Sequence, residues 1–371
     1  MKLGKKIALM LLAIIATTVV AAGVYFTSAF NYSTEEFRKT FKEVDTGTTS
    51  TAIEHTEPFS VLLMGVDTGS GDRKDPWAGN SDSMIVVTIN PVTKRTTMTS
   101  LERDILTTLS GSADNDMNGV DAKLNAAYAS GEAQMAIMTV ENLLDIKIDK
   151  YMQINMQGLV DLVDAVGGIK VTNHFDFDIY IGEQEPEYTA RVAPGTHKIN
   201  GDQALVYSRM RYQDPEGDYG RQRRQREVIG LVVKKLLALD SVSSYKKVLK
   251  AISNNMQTNI EVTDKTIPSL LAYRDSLDTL ENYQLHGEDA TLADGGSYQI
   301  VTAKHLLETQ NRIKSELGLP TLENLEHTNA VLYENLYGYS PETYYPDENA
   351  QKTSSTTATT DSIETTETTW E

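Results

Sequence analysis

The sequence predicts an α/β layered domain around a mixed sheet, tethered by a single N-terminal transmembrane helix. Three observations carry this. Stretches of strand length (Phe59–Val66, a continuous apolar run, then Met84–Asn90, Thr96–Leu101 and Tyr151–Met156) alternate with longer stretches of helical period. The turn Asn90-Pro91-Val92-Thr93 folds the second run back onto the third, so the sheet cannot be purely parallel. Lys2, Lys5 and Lys6 precede an uncharged apolar run from Ile7 to Phe30.

That run reaches roughly 36 Å as a helix, enough to cross a hydrocarbon core of about 30 Å. The lysines on its short side predict a cytoplasmic N-terminus (1–6), a signal anchor (7–30) and an exported remainder. A cleaved signal peptide is the rival reading, with Thr27-Ser28-Ala29 as the cleavage site, but the apolar core is longer than such peptides use. Residues 31–56 read as a stalk and linker. Residues 57–339 form the globular domain, and the Ser/Thr/acid-rich segment 340–371 reads as a disordered tail.

Within the domain, Phe59–Val66 empties into the glycine- and acid-rich loop Asp67–Asp72. Asp121–Ser130 and Gly131–Leu144 read as helices, Tyr151–Met156 as a strand, and Gln157–Val166 as a helix capped by Gly167-Gly168. Ile169–Thr172 is a further strand, Pro194–Ile199 a turn, and Asn200 or Gly201 opens a helix to Tyr207. A helix starting at Arg221 continues through Leu239. Helices at Tyr245–Asn254, Ile267–Ser276 and Ala303–Leu317 and strands at Asn282–His286 and Gly296–Val301 complete the domain.

The 371 residues carry a formal charge of -18 and no cysteine. Such acidity opposes a general nucleic-acid binder, which needs a basic surface, and the absence of cysteine excludes disulfides and thiolate chemistry. The six histidines show no zinc-ligand spacing, and neither a P-loop nor a G-x-S-x-G elbow is present. Against this background, Tyr207–Glu227 holds Arg209, Arg211, Arg221, Arg223, Arg224 and Arg226. Guanidinium groups grip phosphate or carboxylate through two parallel hydrogen bonds. In an extended segment Arg209 and Arg211 point the same way, and in a helix Arg221, Arg224, Gln225 and Val228 share a face. Arg223 and Arg226 fall on the opposite, solvent-facing side. Asp67 ends the first strand, Asp82 precedes the second and Asp104 follows the third. Carboxylates at strand ends suit either turn capping or a hard divalent cation shared with phosphate oxygens.

FSVLLMGVDTG, NSDSMIVVTINPVTKRTTMTSLERDI, KLNAAYASG, GLVDLVDAVGGIKV and PGTHKINGDQALVYSRMRYQDPEGDYGRQRRQREVI resemble, in order, the sequence blocks of the LytR-CpsA-Psr family, and within it the streptococcal LytR branch. The resemblance implies an α/β/α layered sandwich with a hydrophobic pocket for a polyprenyl chain. It implies a phosphotransferase that moves an anionic glycopolymer (teichoic acid or capsule) from an undecaprenyl-pyrophosphate carrier to peptidoglycan, with pyrophosphatase side activity. Mg²⁺, or Mn²⁺ in its place, is the implied cofactor. The implied setting is a Gram-positive-type cell surface, with the domain outside the membrane and no nucleic acid as partner.

Carried over block by block, Asp82 is metal ligand or base, and Asp104 is a second metal ligand. Arg103, Arg209, Arg211 and Asp218 are catalytic. Arg103, Arg209, Arg211, Arg221 and Gln225 bind pyrophosphate, and Asp67 is an additional site residue. One departure stands out: the family's Arg-Ser-Asp reads Asn80-Ser81-Asp82, which removes one phosphate contact and implies activity that is weaker, differently tuned or dependent on another cation such as Arg73 or Lys74. A transcriptional regulator and a non-catalytic polyprenyl-pyrophosphate binder are the alternative readings.

Overall fold

The structure, a computed structural model, describes residues 39–46, 57–67, 75–239, 242–260, 273–341, 343 and 345. The expected signal anchor, most of the linker, Arg73, Lys74, most of the expected Ile267–Ser276 helix and most of the tail lie outside the described residues. Among the described residues, no helix is long and apolar enough to cross a membrane.

A six-stranded mixed sheet forms the centre. Its strands are β1 (Phe59–Asp67), β2 (Asn80–Asn90), β3 (Arg95–Leu101), β6 (Lys150–Asn155), β9 (Met256–Thr258) and β10 (Leu280–Leu285), in the order β10-β3-β2-β1-β6-β9. β2 runs antiparallel to β1 and β3, whereas β6 is parallel to β1 and β10 to β3. Consequently β1, β3, β6 and β10 all end at the same edge.

Side chains alternate across the pleat. Leu62, Met64, Met84, Leu101 and Leu285 meet helices α1 (Ala126–Leu144) and α6 (Ala303–Glu316) on one face. Phe59, Val61, Ile85, Val87 and Met98 line the other face, where Ile229 of α4 (Gly217–Leu237) packs. A second apolar cluster joins α2 (Met156–Ala165), α3 (Gly201–Arg209), α4 and α5 (Val242–Ile252) to a separate hairpin. That hairpin pairs β7 (Ile169–Asn173) with β8 (Gly195–Ile199).

Several elements differ from expectation. Pro194–Ile199, expected as a turn, supplies the strand that pairs with Ile169–Thr172, which is a strand as expected, and the pair stands apart from the central sheet. Asp121–Lys123 is the short strand β5, paired with β4 (Leu106–Thr108), and the helix expected from Asp121 begins at Ala126. The expected break at Gly131 is present: α1 is two helical segments joined where Gly131 and Glu132 leave helical geometry, with Glu132 at φ 50°. α4 begins at Gly217, four residues before Arg221. The expected disordered tail starts with anchored residues: Tyr345 stacks on His286 with ring centroids 5.0 Å apart. Short strands β11 (Glu288–Thr291) and β12 (Ser297–Ile300) and helix α7 (Tyr333–Tyr337) complete the described chain.

Candidate functional site

The shared carboxyl edge of β1, β3, β6 and β10 is where the predicted residues meet, the position at which open α/β sheets commonly bind ligands. Asp67 is the last residue of β1. Asp82 was expected just before its strand; β2 instead starts at Asn80 and contains it. Gly65 pairs with Ser83 and Val66 with Ser81, so Asp82 is the extra residue of a β-bulge. A bulge releases its residue from the ladder and re-aims it, and the freed Asp82 carbonyl accepts from Arg221 Nη2 at 3.2 Å.

Arg103 and Asp104 follow β3. Arg103 Nη1 lies 2.8 Å from Asp82 Oδ2, and its Nε lies 3.5 Å from Asp104 Oδ2. Lys123 Nζ approaches the other Asp104 oxygen at 2.8 Å, and Asn125 donates to Asp82 at 3.4 Å. Burial pulls the Arg103 guanidinium down, but Asp82, Asp104 and Asp218 outweigh it and hold the group above its ordinary value.

The arginine stretch is folded differently from expectation. Asn200 caps α3 through a reciprocal pair with Gln203, and the helix carries Arg209 as its last residue. Arg209 and Arg211 therefore flank a helix end at Met210 rather than sharing one side of an extended segment. Arg209 Nη2 donates to Glu185 Oε2 at 2.6 Å and lies 3.3 Å from Asp67 Oδ2, with the Tyr188 ring 5.4 Å from its guanidinium carbon. Arg211 Nη1 stands 3.9 Å from Asp218 Oδ1. Arg221, buried, donates to Asp218 Oδ2 at 3.0 Å. Burial lowers the Arg221 pKa despite Asp218, and neighbouring Arg103 lowers it further. Asp218 is held below the usual carboxylate range, because Arg221, hydrogen bonds from Gln222 and Glu102, and then Arg103 outweigh the opposing effect of burial.

The remaining arginines divide otherwise than predicted. Arg223 is exposed and pairs with Glu216, as a solvent-facing residue should. Arg226, expected in solvent, is 1% exposed and donates to Ser100 Oγ at 2.5 Å. Helical spacing gives only relative directions: Arg226 stands with Gln222 on the buried side of α4, and only Arg223 of the pair stays in solvent. Arg224 shares the Arg221 side in sequence but acts as an internal clamp. It pairs with Asp214 and donates to the carbonyls of Tyr207 and Met210, fixing the turn between Arg211 and α4.

Arg103, Arg209, Arg211 and Arg221 thus converge with Asp67, Asp82, Asp104 and Asp218 at one sheet edge. The Nε groups of Arg209 and Arg221 at this edge are buried with no hydrogen-bond partner among the described residues, while no contact places Gln225, predicted to bind pyrophosphate, beside them. Buried polar atoms are normally paired, so these donors are open to a polar ligand or water. Asp82 and Asp104 are the carboxylates here that could hold a divalent cation together with ligand oxygens, and in this structure their oxygens pair with Arg103 and Lys123. Among the described residues, no group of three or more acidic or histidine side chains could hold a metal alone. A separate cavity of about 620 Å³ between residues 42–45 and 129–134 has Lys42, Glu43, Asp45 and Glu132 in its walls, unlike a hydrophobic lipid pocket.

Sequence reasoning missed Glu102, Glu185, Gln222 and Gln284. Glu102, 1% exposed, is pushed well above the usual carboxylate range by burial and then by the charge of Asp218. Its signal was an acid directly after a strand, one residue before Arg103. Glu185 lies in a loop far from the motifs, and nothing local marked it.

The LytR_cpsA_psr family model matches residues 23–315. The chain belongs to this family. Biofilm regulatory protein A of Streptococcus mutans is 67% identical over 340 residues, covering 91% of this chain and 83% of its own. The polyisoprenyl-teichoic acid–peptidoglycan teichoic acid transferase TagU of Enterococcus faecalis is 41% identical, covering 86% of this chain and 99% of its own. A solved structure of TagT bound to LIIa-WTA superposes with TM-score 0.58 at 28% identity, covering 75% of this chain and 94% of that one. The LytR-CpsA-Psr chain described here shares with it the mixed α/β fold.

Proposed function

We propose that this LytR-CpsA-Psr protein is a phosphotransferase that attaches an anionic glycopolymer, carried on undecaprenyl pyrophosphate, to peptidoglycan. The observation that carries the reading is the convergence of Arg103, Arg209, Arg211 and Arg221 on one sheet edge beside Asp82 and Asp218. Relatives named as teichoic acid transferases support the reaction class.

Phosphoryl transfer asks a protein chiefly to position its reactants and neutralise charge. Arg209, Arg211 and Arg221 bind the pyrophosphate, with Arg103 beside Asp82. In this reading the acceptor hydroxyl oxygen bonds to the phosphorus that carries the polymer. The bridging bond to the second phosphate breaks, and lipid phosphate leaves with the bridging oxygen. The hydroxyl proton passes to a carboxylate, Asp82 or Asp218. Asp82 and Asp104 are the residues that would hold Mg²⁺ or Mn²⁺, which when bound neutralises phosphate charge. The apolar run 7–30 and the lysines before it support a membrane anchor with this domain outside, next to the lipid carrier and the wall.

Incubation of the detergent-solubilised full chain with a lipid pyrophosphate and Mg²⁺ tests the reaction class. Cleavage or transfer is expected. Binding with the phosphate bond left intact would leave a polyprenyl-pyrophosphate binder instead.

A regulatory reading is favoured by the name of the S. mutans relative. Direct DNA binding conflicts with the charge of -18. Protease treatment of intact cells separates the two: an outward domain is shaved off, and a cytoplasmic one survives.

A further inference from the structure

Beneath Asp218 a chain of hydrogen bonds crosses from the sheet to α4. Gln222 Nε2 donates to Asp218 Oδ2 at 2.9 Å. The Gln222 carboxamide oxygen accepts from Gln284 Nε2 at 3.0 Å, and the same Gln284 nitrogen donates to Glu102 Oε1 at 2.9 Å. The Gln284 oxygen in turn accepts a long bond, 3.5 Å, from Arg226 Nη2, while Arg226 Nη1 is held by Ser100. Gln222, Gln284, Glu102 and Arg226 are all at most 5% exposed.

The ends of this chain dictate its direction. A guanidinium only donates and a carboxylate accepts, so both amides between them have one workable orientation. Gln284 must present oxygen to Arg226 and nitrogen to Gln222, and Gln222 must then present nitrogen to Asp218. Three elements supply the links: β3 through Ser100 and the adjoining Glu102, β10 through Gln284, and α4 through Arg226 and Gln222. Buried hydrogen-bond networks of this kind restrict side-chain orientation, because the low local dielectric makes each lost partner costly.

We infer that Gln284 and Gln222 are positioning residues that hold the Asp218 carboxylate in the orientation that engages Arg221 and Arg211. This rests on the phosphotransferase reading only for its consequence in turnover; the effect on anion binding stands apart from it. Asp218 orients two of the arginines assigned to pyrophosphate, so loosening Asp218 loosens the anion grip as well as any proton transfer.

The test is a cycle of full-chain variants: Gln284→Leu, Asp218→Asn and the double variant. The readouts are affinity for geranylgeranyl pyrophosphate, lipid-pyrophosphate turnover and thermal melting. Gln284→Leu should weaken binding and turnover about tenfold in the wild-type background. In the Asp218→Asn background it should change binding less than about twofold, because the group it positions is already altered. Gln222→Leu should reproduce Gln284→Leu, and the two combined should be no worse than either. An equal loss from Gln284→Leu in both backgrounds, or no loss in the wild type, overturns the inference. A wild-type chain that binds the lipid without turning it over contradicts the phosphotransferase reading alone, since the binding cycle still decides the role of Gln284.

Discussion

Arg209 donates to Glu185 at 2.6 Å and sits 3.3 Å from Asp67, so two carboxylates share the guanidinium that is assigned to an incoming phosphate. Glu185 comes from a loop, and its oxygens occupy donor positions that a pyrophosphate would use. Replacing it with glutamine removes the competing charge. Glu185→Gln should therefore tighten lipid-pyrophosphate binding several-fold in a titration, an outcome that simple destabilisation cannot produce. Arg224 sits at the opposite extreme: it and Asp214 form a buried ion pair that also ties down two carbonyls. Asp214→Ala should destabilise the fold by about 3–5 kcal/mol in denaturant unfolding, because it leaves Arg224 charged and unpaired.

At the scale of elements, the close packing of α3 on α2 sets where Arg209 lies. A Cβ on Gly201 would approach the Val160 carbonyl oxygen to 2.3 Å, so only glycine lets the two helices meet this closely. Gly201→Ala should lower stability by about 1–3 kcal/mol, and it should also weaken pyrophosphate binding, because it displaces the helix that ends in Arg209. Unchanged affinity in a folded variant would show that the position of α3 is unimportant to the site. This scale also marks what the sequence could disclose. Apolar runs such as Phe59–Val66 and the Asn90-Pro91 turn disclosed the strands and the hairpin, because burial and turn chemistry are local. The bulge at Asp82 depends on the register with β1. The inward side of Arg226 depends on how α4 sits on the sheet. Both are tertiary facts with no local signature. The motifs brought Arg103, Arg209, Arg211 and Arg221 into view, but the amide chain under Asp218 needed Gln284 from a strand far along the sequence.

Over the whole molecule, pH reports on the C-terminal part of the domain. His286 is stacked between Tyr219 and Tyr345, and burial, with His305 and Arg226 adding to it, lowers its pKa to about 4. The unfolded chain binds a proton there below about pH 6.5, while the folded chain refuses it until about pH 4. Stability from this group is complete above the unfolded pKa and falls as pH drops through that window, by up to about 3 kcal/mol. Melting temperature should decline between pH 7 and 4.5, and His286→Gln should flatten the decline. An equally steep decline in that variant would assign the acid sensitivity to other groups.

The phosphotransferase reading is met most directly by one reconstituted reaction. The full chain in detergent is given a lipid-pyrophosphate-linked anionic glycopolymer, peptidoglycan and Mg²⁺, and phosphodiester-linked polymer on the wall is measured. The wild-type chain should form the product with release of lipid phosphate. Arg209→Ala combined with Arg211→Ala should reduce the product by about a hundredfold or more, as expected when preorganised charge at a transferring phosphate is removed. No product from the wild type, or undiminished product from the double variant, would contradict it.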